Sequence, residues 1–140
     1  MKSILSTIQR QAVHAIFDTY PQIIAVYCYG SRTKGNALAT SDLDIGIVCM
    51  DKDTLSPIDI EAKIARAITG YTLHIHLLDL SDNPLLLIRV INGVVIYEQN
   101  FHGRAELERQ ILHLYEDAQA LLRIRTHYLD TSFQEGIYAH

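Results

Sequence analysis

The fold is decided by one stretch of the chain, residues 30–44, which reads GSRTKGNALATSDLD. The run before it, residues 23–29, is short, β-branched and aromatic, and this predicts a buried strand. A second strand is predicted over residues 42–50, where apolar residues follow two aspartates. The polar segment between the two strands contains two glycines and is typical of a turn with one short helix.

The glycine–serine pair at the end of the first predicted strand has the chemistry of a phosphate site. Gly30 carries no Cβ, so a phosphate can approach its backbone closely. The hydroxyl of Ser31 and the free amides of a following helix N-terminus can donate hydrogen bonds to that phosphate. Arg32 or Lys34 could add positive charge. We therefore predict that this segment binds phosphate.

Asp42 and Asp44 lie two residues apart on the second predicted strand, so their side chains point to the same face. They are roughly 6–7 Å apart along the backbone, and two such carboxylates repel each other. A divalent cation removes that penalty, and Mg²⁺ prefers carboxylates, water and phosphate oxygens. Either motif by itself more often has a structural role than a binding role. The two motifs together, with a predicted strand on each side, favour a single site that binds phosphate and metal.

The remaining pattern predicts an α/β (α+β) fold: a small mixed sheet with flanking helices and a long C-terminal helix. We expect one domain over residues 1–140, with an ordered core to about residue 128 and a tail over residues 129–140. The predicted helices are residues 1–20, 58–69, 85–92 and 103–128, and the further strands are residues 72–80 and 94–97.

Composition excludes some classes of function. The net charge is −4, with 12 basic and 16 acidic residues, which argues against a nucleic-acid-binding face. Cys28 and Cys49 both lie in apolar runs, as reduced core cysteines of a cytosolic protein do. The chain start does not resemble a signal peptide, and no apolar stretch approaches the ~20 residues of a membrane span. We therefore expect a cytoplasmic protein without membrane contact.

The spacing from Gly30-Ser31 to Asp42-Leu43-Asp44 resembles the signature of the polymerase-β-type nucleotidyltransferases. The Gly-Ser-x-x-x-Gly form that ends at Gly35 is similar to the minimal nucleotidyltransferase (MNT) branch. The resemblance implies the polymerase-β-type fold with ATP as substrate and Mg²⁺, or alternatively Mn²⁺, as cofactor. It also implies residue roles. Phosphate binding falls on Gly30 and Ser31, with Arg32, Lys34 and Gly35 in the same nucleotide-binding segment, and metal binding and catalysis fall on Asp42 and Asp44.

The long C-terminal helix is similar to that of the MntA-like antitoxins within this branch. Such antitoxins pair with a HEPN-domain ribonuclease toxin and transfer AMP from ATP to one of its tyrosines, which silences the toxin. The resemblance therefore implies a protein adenylyltransferase in a hetero-oligomer with a cognate HEPN toxin, without direct binding to nucleic acid.

One position departs from the family pattern. A third aspartate is expected on a later strand, but His76 stands there in the stretch of residues 76–80. Imidazole can accept a proton but is a poor ligand for Mg²⁺. Asp79 is an odd number of residues away and is predicted to face the other side. His74 shares a face with His76, but two ligands are too few for a metal site of their own.

Three hypotheses stay open at this point. The first is the enzyme, with His76 as an uncertain catalytic residue. The second is a degenerate member of the family that neutralises the toxin by contact alone. The third is a small-molecule modifier of the aminoglycoside nucleotidyltransferase kind, for which the chain is short.

Overall fold

A computed structural model describes residues 5–30 and 42–134, with side chains up to residue 130. The elements in chain order are helix α1 (Thr7–Phe17), strands β1 (Ile23–Tyr29) and β2 (Asp42–Cys49), a 3₁₀ turn (Lys52–Thr54), helix α2 (Pro57–Ala67), strand β3 (Thr72–Leu78), helix α3 (Pro84–Ile91), strand β4 (Val94–Glu98) and helix α4 (Phe101–Gln134).

The four strands form one mixed sheet in the order β3-β2-β1-β4. Strand β1 pairs antiparallel with both β2 and β4, whereas β2 and β3 are parallel. Helices α1 and α2 cover one face of the sheet, and α3 with the first turns of α4 covers the other. The predicted mixed sheet with flanking helices and a long C-terminal helix is confirmed.

Alternation along the strands divides the core into two layers. Along β2, Leu43, Ile45 and Ile47 are fully buried on the face covered by α1 and α2. The opposite face packs Ala25, Tyr27 and the other inward residues against α3 and α4. Burial on both faces explains why the sequence of β1 reads as a continuous apolar run rather than an alternating one.

Local capping chemistry sets where the helices begin. At α1, the hydroxyl of Ser6 accepts a hydrogen bond from the amide of Gln9, and the Gln9 side chain accepts one from the amide of Ser6. This reciprocal pair satisfies two amides that lack partners within the helix. At α2 the Ser56 hydroxyl accepts a hydrogen bond from the amide of Asp59, directly before a proline at the first helical position.

The predicted boundaries are confirmed for β1, and those of β3 and α4 need correction. Strand β3 ends two residues earlier than expected, at Leu78, because a hydrogen-bonded turn begins at the next residue. Helix α4 begins at Phe101, because the Asn100 side chain accepts a hydrogen bond from the amide of Gly103. It then continues to Gln134, so the boundary predicted near residue 128 was wrong. Among the described residues, no helix is both long and apolar enough to cross a membrane.

The turn after β3 is held by one buried carboxylate. Asp79 is 6% exposed. Its oxygens accept hydrogen bonds from the amide of Lys52 at 3.0 Å, from the amide of Ser81 at 2.9 Å and from the Ser81 hydroxyl. The Ser81 hydroxyl, followed by the Lys52 amide, lowers the pKa of the Asp79 carboxyl. The ionised form of this side chain therefore stabilises the turn.

We predict that Asp79→Ala lowers the free energy of unfolding by about 1–3 kcal/mol, because the part-buried hydrogen bonds that its oxygens accept from Lys52 and Ser81 are lost. The folded-state pKa is depressed, so this contribution is present above the unfolded pKa of about 3.9 and is lost as pH falls through the folded value. Urea unfolding of parent and variant should therefore differ at pH 7 and converge in acid. Asp117→Ala, at an exposed position of α4, is the control. Equal losses in the two variants would contradict the assignment.

Candidate functional site

The site begins where β1 ends. Gly30 follows that strand with φ +91°, a conformation that residues with a Cβ rarely adopt. A Cβ built at this position would lie 2.6 Å from Oδ2 of Asp44, closer than real contacts allow. The antiparallel register brings them together, because Tyr29 pairs with Asp44. The positive φ therefore favours glycine at position 30, and a side chain there would push the Asp44 carboxylate aside.

Strand β2 carries the two predicted carboxylates on the sheet face that α3 and α4 cover. Leu43, between them, is buried against the helices of the opposite face, so Asp42 and Asp44 point the other way. The Asp42 side chain is exposed and that of Asp44 is half-buried. The pair lies at the start of β2, beside the end of β1. The structure therefore brings Gly30 and Asp44 into contact, with Asp42 at the solvent side.

The neighbouring strand β3 supplies imidazoles to the same face. In the parallel register, Asp44 pairs with His74, and Gly46 pairs with His76. Both histidines are exposed. His74 is therefore level with Asp44, and His76 lies two residues further along, roughly 6–7 Å. Position 74, which sequence reasoning set aside, is the closer of the two to the carboxylate along the strand.

The ring of Tyr29, on β1, extends across β2 and contacts His76 on β3. A Cβ on Gly46 would lie 3.4 Å from Cε1 of Tyr29 and 2.5 Å from Cγ1 of Val90, so both side chains occupy the space above this glycine. The Tyr29 ring then reaches His76, with ring centroids 6.1 Å apart. Burial, followed by the nearby Asp44 charge, raises the pKa of the Tyr29 phenol, which stays neutral at physiological pH.

Sequence reasoning missed both Tyr29 and Gly46. The available signal was their position, since Tyr29 directly precedes Gly30 and Gly46 follows Asp44 by two residues on the same face. Their contact itself depends on the strand register, which the sequence does not reveal.

The predicted site residues Ser31, Arg32, Lys34 and Gly35 lie outside the residues that the structure describes. Asp79 is described and lies away from the site. Asp79 would be level with the end of β2, since Val48 pairs with Leu78. That position is five residues, or about 16 Å, beyond Asp44 along the strand. The oxygens of Asp79 already accept the hydrogen bonds of its own turn.

The donor set fits a divalent cation that is held jointly with a nucleotide. Among the described residues, no group of three His, Cys, Asp or Glu side chains could hold a metal ion by itself. Asp42, which is exposed, and Asp44, which is half-buried, both offer hard carboxylate oxygens. Mg²⁺ is commonly bound by one or two carboxylates, with substrate phosphates and water completing its shell. The two carboxylates are compatible with that mode of binding.

Comparison with protein families decides the class of this fold. The family model described as Polymerase beta, Nucleotidyltransferase matches residues 11–102, more than half of the chain. The chain belongs to this family. The matched region contains β1, the residue 30–44 segment and the strands that carry Asp44 and His76. No curated protein sequence matches the chain significantly.

Solved structures with this fold include several toxin–antitoxin chains. A chain of a toxin–antitoxin crystal structure with AMP-PNP superposes with a TM-score of 0.58 at 21% identity, covering 89% of this chain and 98% of that one. A chain of the MntA–HepT toxin–antitoxin gives 0.56 at 19%, covering 91% and 99%. A chain from the complex of tri-AMPylated Shewanella oneidensis HEPN toxin with MNT antitoxin gives 0.56 at 18%, covering 92% and 99%. These likenesses show a shared fold.

We predict that Gly30→Ala and Gly70→Ala destabilise the protein unequally. Both glycines have positive φ, so alanine costs about 1–2 kcal/mol at either position. A Cβ at Gly70 has nothing within 4 Å, whereas one at Gly30 collides with Asp44. Urea unfolding should show a larger loss at position 30, because the Asp44 carboxylate must move to make room for the added methyl group. Equal losses at the two positions would show that the Gly30–Asp44 contact is dispensable.

Proposed function

We propose that this protein is a nucleotidyltransferase that binds ATP with a divalent cation and transfers AMP to a tyrosine hydroxyl of a cognate HEPN-domain toxin, neutralising it. The proposal rests chiefly on the close approach of the Gly30 backbone to the Asp44 carboxylate at the end of β1. It is supported by membership in the polymerase β nucleotidyltransferase family.

In the proposed complex, the triphosphate lies at the end of β1. The Gly30 backbone allows close approach of phosphate, and the Ser31 hydroxyl donates to it. Arg32, Lys34 and Gly35 belong to the same proposed nucleotide-binding segment. Asp42 and Asp44 hold Mg²⁺, or alternatively Mn²⁺, together with phosphate oxygens. A cation bound there would neutralise charge on the phosphates and on the pyrophosphate as it leaves.

The proposed reaction is an in-line displacement at the α-phosphorus. The tyrosine oxygen forms a bond to that phosphorus, the bond to the β-phosphate bridging oxygen breaks, and pyrophosphate leaves with the bonding electrons. The phenolic proton passes to a base or to water. His76, held against the Tyr29 ring on the same sheet face, is the candidate base. Only the neutral imidazole can accept a proton.

The nature of the partner is proposed from the shared fold. Two of the similar chains come from an MntA–HepT toxin–antitoxin and from a complex of MNT antitoxin with an AMPylated HEPN toxin. This chain covers nearly the whole length of those two chains. The cytoplasm is the proposed location, since ATP is available there and Cys28 and Cys49 are both free thiols.

A second candidate is neutralisation by binding without AMP transfer. It is favoured by the donors on β3, where imidazoles at positions 74 and 76 replace a carboxylate beside Asp44. Loss of a metal ligand and of a base together could remove several kcal/mol of transition-state stabilisation, and about 1.4 kcal/mol is already tenfold in rate. Loss of that ligand and base would leave nucleotide binding through Asp42 and Asp44 intact.

We predict that ATP and Mg²⁺ together raise the melting temperature of the parent, because binding to the native state stabilises it. Each ligand neutralises the charge of the other, so either one alone should have a smaller effect. The double variant Asp42→Asn/Asp44→Asn should lose most of the shift. Asp117→Asn, on the exposed face of α4, serves as the control. A double variant that binds as well as the parent would exclude these carboxylates as the metal site.

We predict that His76→Asp increases AMP transfer at least about tenfold over a slow parent, because a carboxylate both binds Mg²⁺ and accepts a proton. The chain is co-expressed with the proposed HEPN partner, and intact-mass measurement counts the AMP groups added to that partner. His113→Asp, at an exposed position of α4, controls for the added charge. A robust parent that loses activity in His76→Ala would instead assign the base to histidine. A toxin that stays unmodified with every variant would remove the transferase proposal.

A further inference from the structure

Strand β3 forms one edge of the sheet, and its outward side is open. The strand order is β3-β2-β1-β4, and no strand among residues 5–30 and 42–134 pairs with the outer side of β3. Two grooves of about 380 and 320 Å³ follow this edge beside α2. Ile60, Ala65, Leu73 and Ile75 are among the residues that line them. The helices therefore flank the edge without covering it.

This edge lacks the features by which proteins usually prevent strand addition. Edge strands are commonly protected by lysine, proline, an inward-pointing charge or a bulge. Strand β3 reads TLHIHLL and contains no Lys, Arg, Asp, Glu, Pro or Gly. Its seven pairs with β2 follow one register without a shift, whereas both pairings of β1 contain an irregularity. The strand itself is thus regular and uncharged apart from its histidines, and the charged groups beside it are Glu61, which lines both grooves, and Asp82, which lines one.

The sequence of β3 matches itself in the reverse direction. Residues 73–77 read Leu-His-Ile-His-Leu, which is a palindrome centred on Ile75. In an antiparallel pair of two such strands about that centre, Ile75 would face Ile75 of the other copy. Leu73 would face Leu77, and His74 would face His76. Every cross-strand pair would then match apolar with apolar and imidazole with imidazole.

The faces of the sheet agree with this arrangement. Leu73, Ile75 and Leu77 are half-buried on the side of α2, whereas His74 and His76 are exposed on the opposite side. A two-fold axis perpendicular to the sheet keeps each face on its own side, so the apolar side chains of both copies meet next to the grooves. Cross-strand pairs of apolar residues add to the stability that the hydrogen bonds of the ladder provide.

We propose that a second copy of this chain adds antiparallel to the outer edge of β3, centred on Ile75, and forms a continuous eight-stranded sheet. Such an interface is isologous, as a two-fold dimer requires. The two candidate sites then open on the same side of the joined sheet, and the two copies present their histidines side by side. The dimer follows from the edge strand and does not depend on the nucleotide chemistry.

A cross-linking experiment tests the register. Facing residues of an antiparallel pair have Cα atoms about 4.5–5.5 Å apart, within the range of a disulfide. Ile75→Cys should therefore link two copies of the full chain under mild oxidation, visible as a dimer on a non-reducing gel. Leu73→Cys alone should not, because it faces Leu77, whereas Leu73→Cys/Leu77→Cys should. The native Cys28 and Cys49 are 0% and 1% exposed and provide no competing thiol.

Light scattering of the uncross-linked chain completes the test. The parent should have the mass of a dimer at tens of micromolar. Ile75→Lys places two ammonium groups opposite each other and should raise the dissociation constant at least about tenfold. Ile58→Lys, at a position of α2 that is 78% exposed, is the control. A monomeric parent, or a dimer that Ile75→Cys does not link, overturns the proposal. If Ile75→Lys fails to fold by circular dichroism, the cross-linking pattern decides alone.

Discussion

The close approach of the Gly30 backbone to the Asp44 carboxylate is the constraint on which the site depends. It requires β1 to end with positive φ and β2 to run antiparallel with Tyr29 opposite Asp44. A slip of one residue would turn Asp44 into the core below α1 and α2, where Leu43 and Ile45 now lie fully buried. An ionised carboxylate is far too costly to bury there without a partner. The apolar core therefore enforces the register that the site needs.

The same core explains why much of the fold was predictable. Strand β1 is buried on both faces, so the apolar run in its sequence starts at Ile23 and stops at Tyr29, which are also the first and last residues of the strand. The sequence pattern did not predict the end of α4, where the helix no longer packs against the core. Leu107 and Ile111 of α4 are buried, but every residue from Leu121 to Asp130 is exposed. Periodicity reports contact with a core, so it could not mark the end of a helix that continues into solvent.

Part of the candidate site could also be predicted from the sequence, and part could not. The side chains of Asp42 and Asp44 share a face because alternation along one strand is local, and this could be predicted. Which residues of β3 lie beside these aspartates depends on the parallel register of β2 and β3, two strands that are distant in sequence. Spacing relative to Asp79 singled out His76, whereas the register places His74 level with Asp44. The contact of Tyr29 with His76 across Gly46 needs three strands at once, so no local pattern could reveal it.

Strand β3 therefore determines what the carboxylates of β2 can do. Asp79 does not supply a further carboxylate to the site, because its oxygens accept hydrogen bonds from Lys52 and Ser81 in its own turn. The groups that β3 places beside the strand of Asp44 are the imidazoles of His74 and His76. His76 also contacts the Tyr29 ring, and no strand among residues 5–30 and 42–134 pairs with the outer side of β3. A molecule that pairs with this edge would contact the strand whose other side borders the site, so chemistry at Asp44 and assembly at Ile75 would share one rigid element.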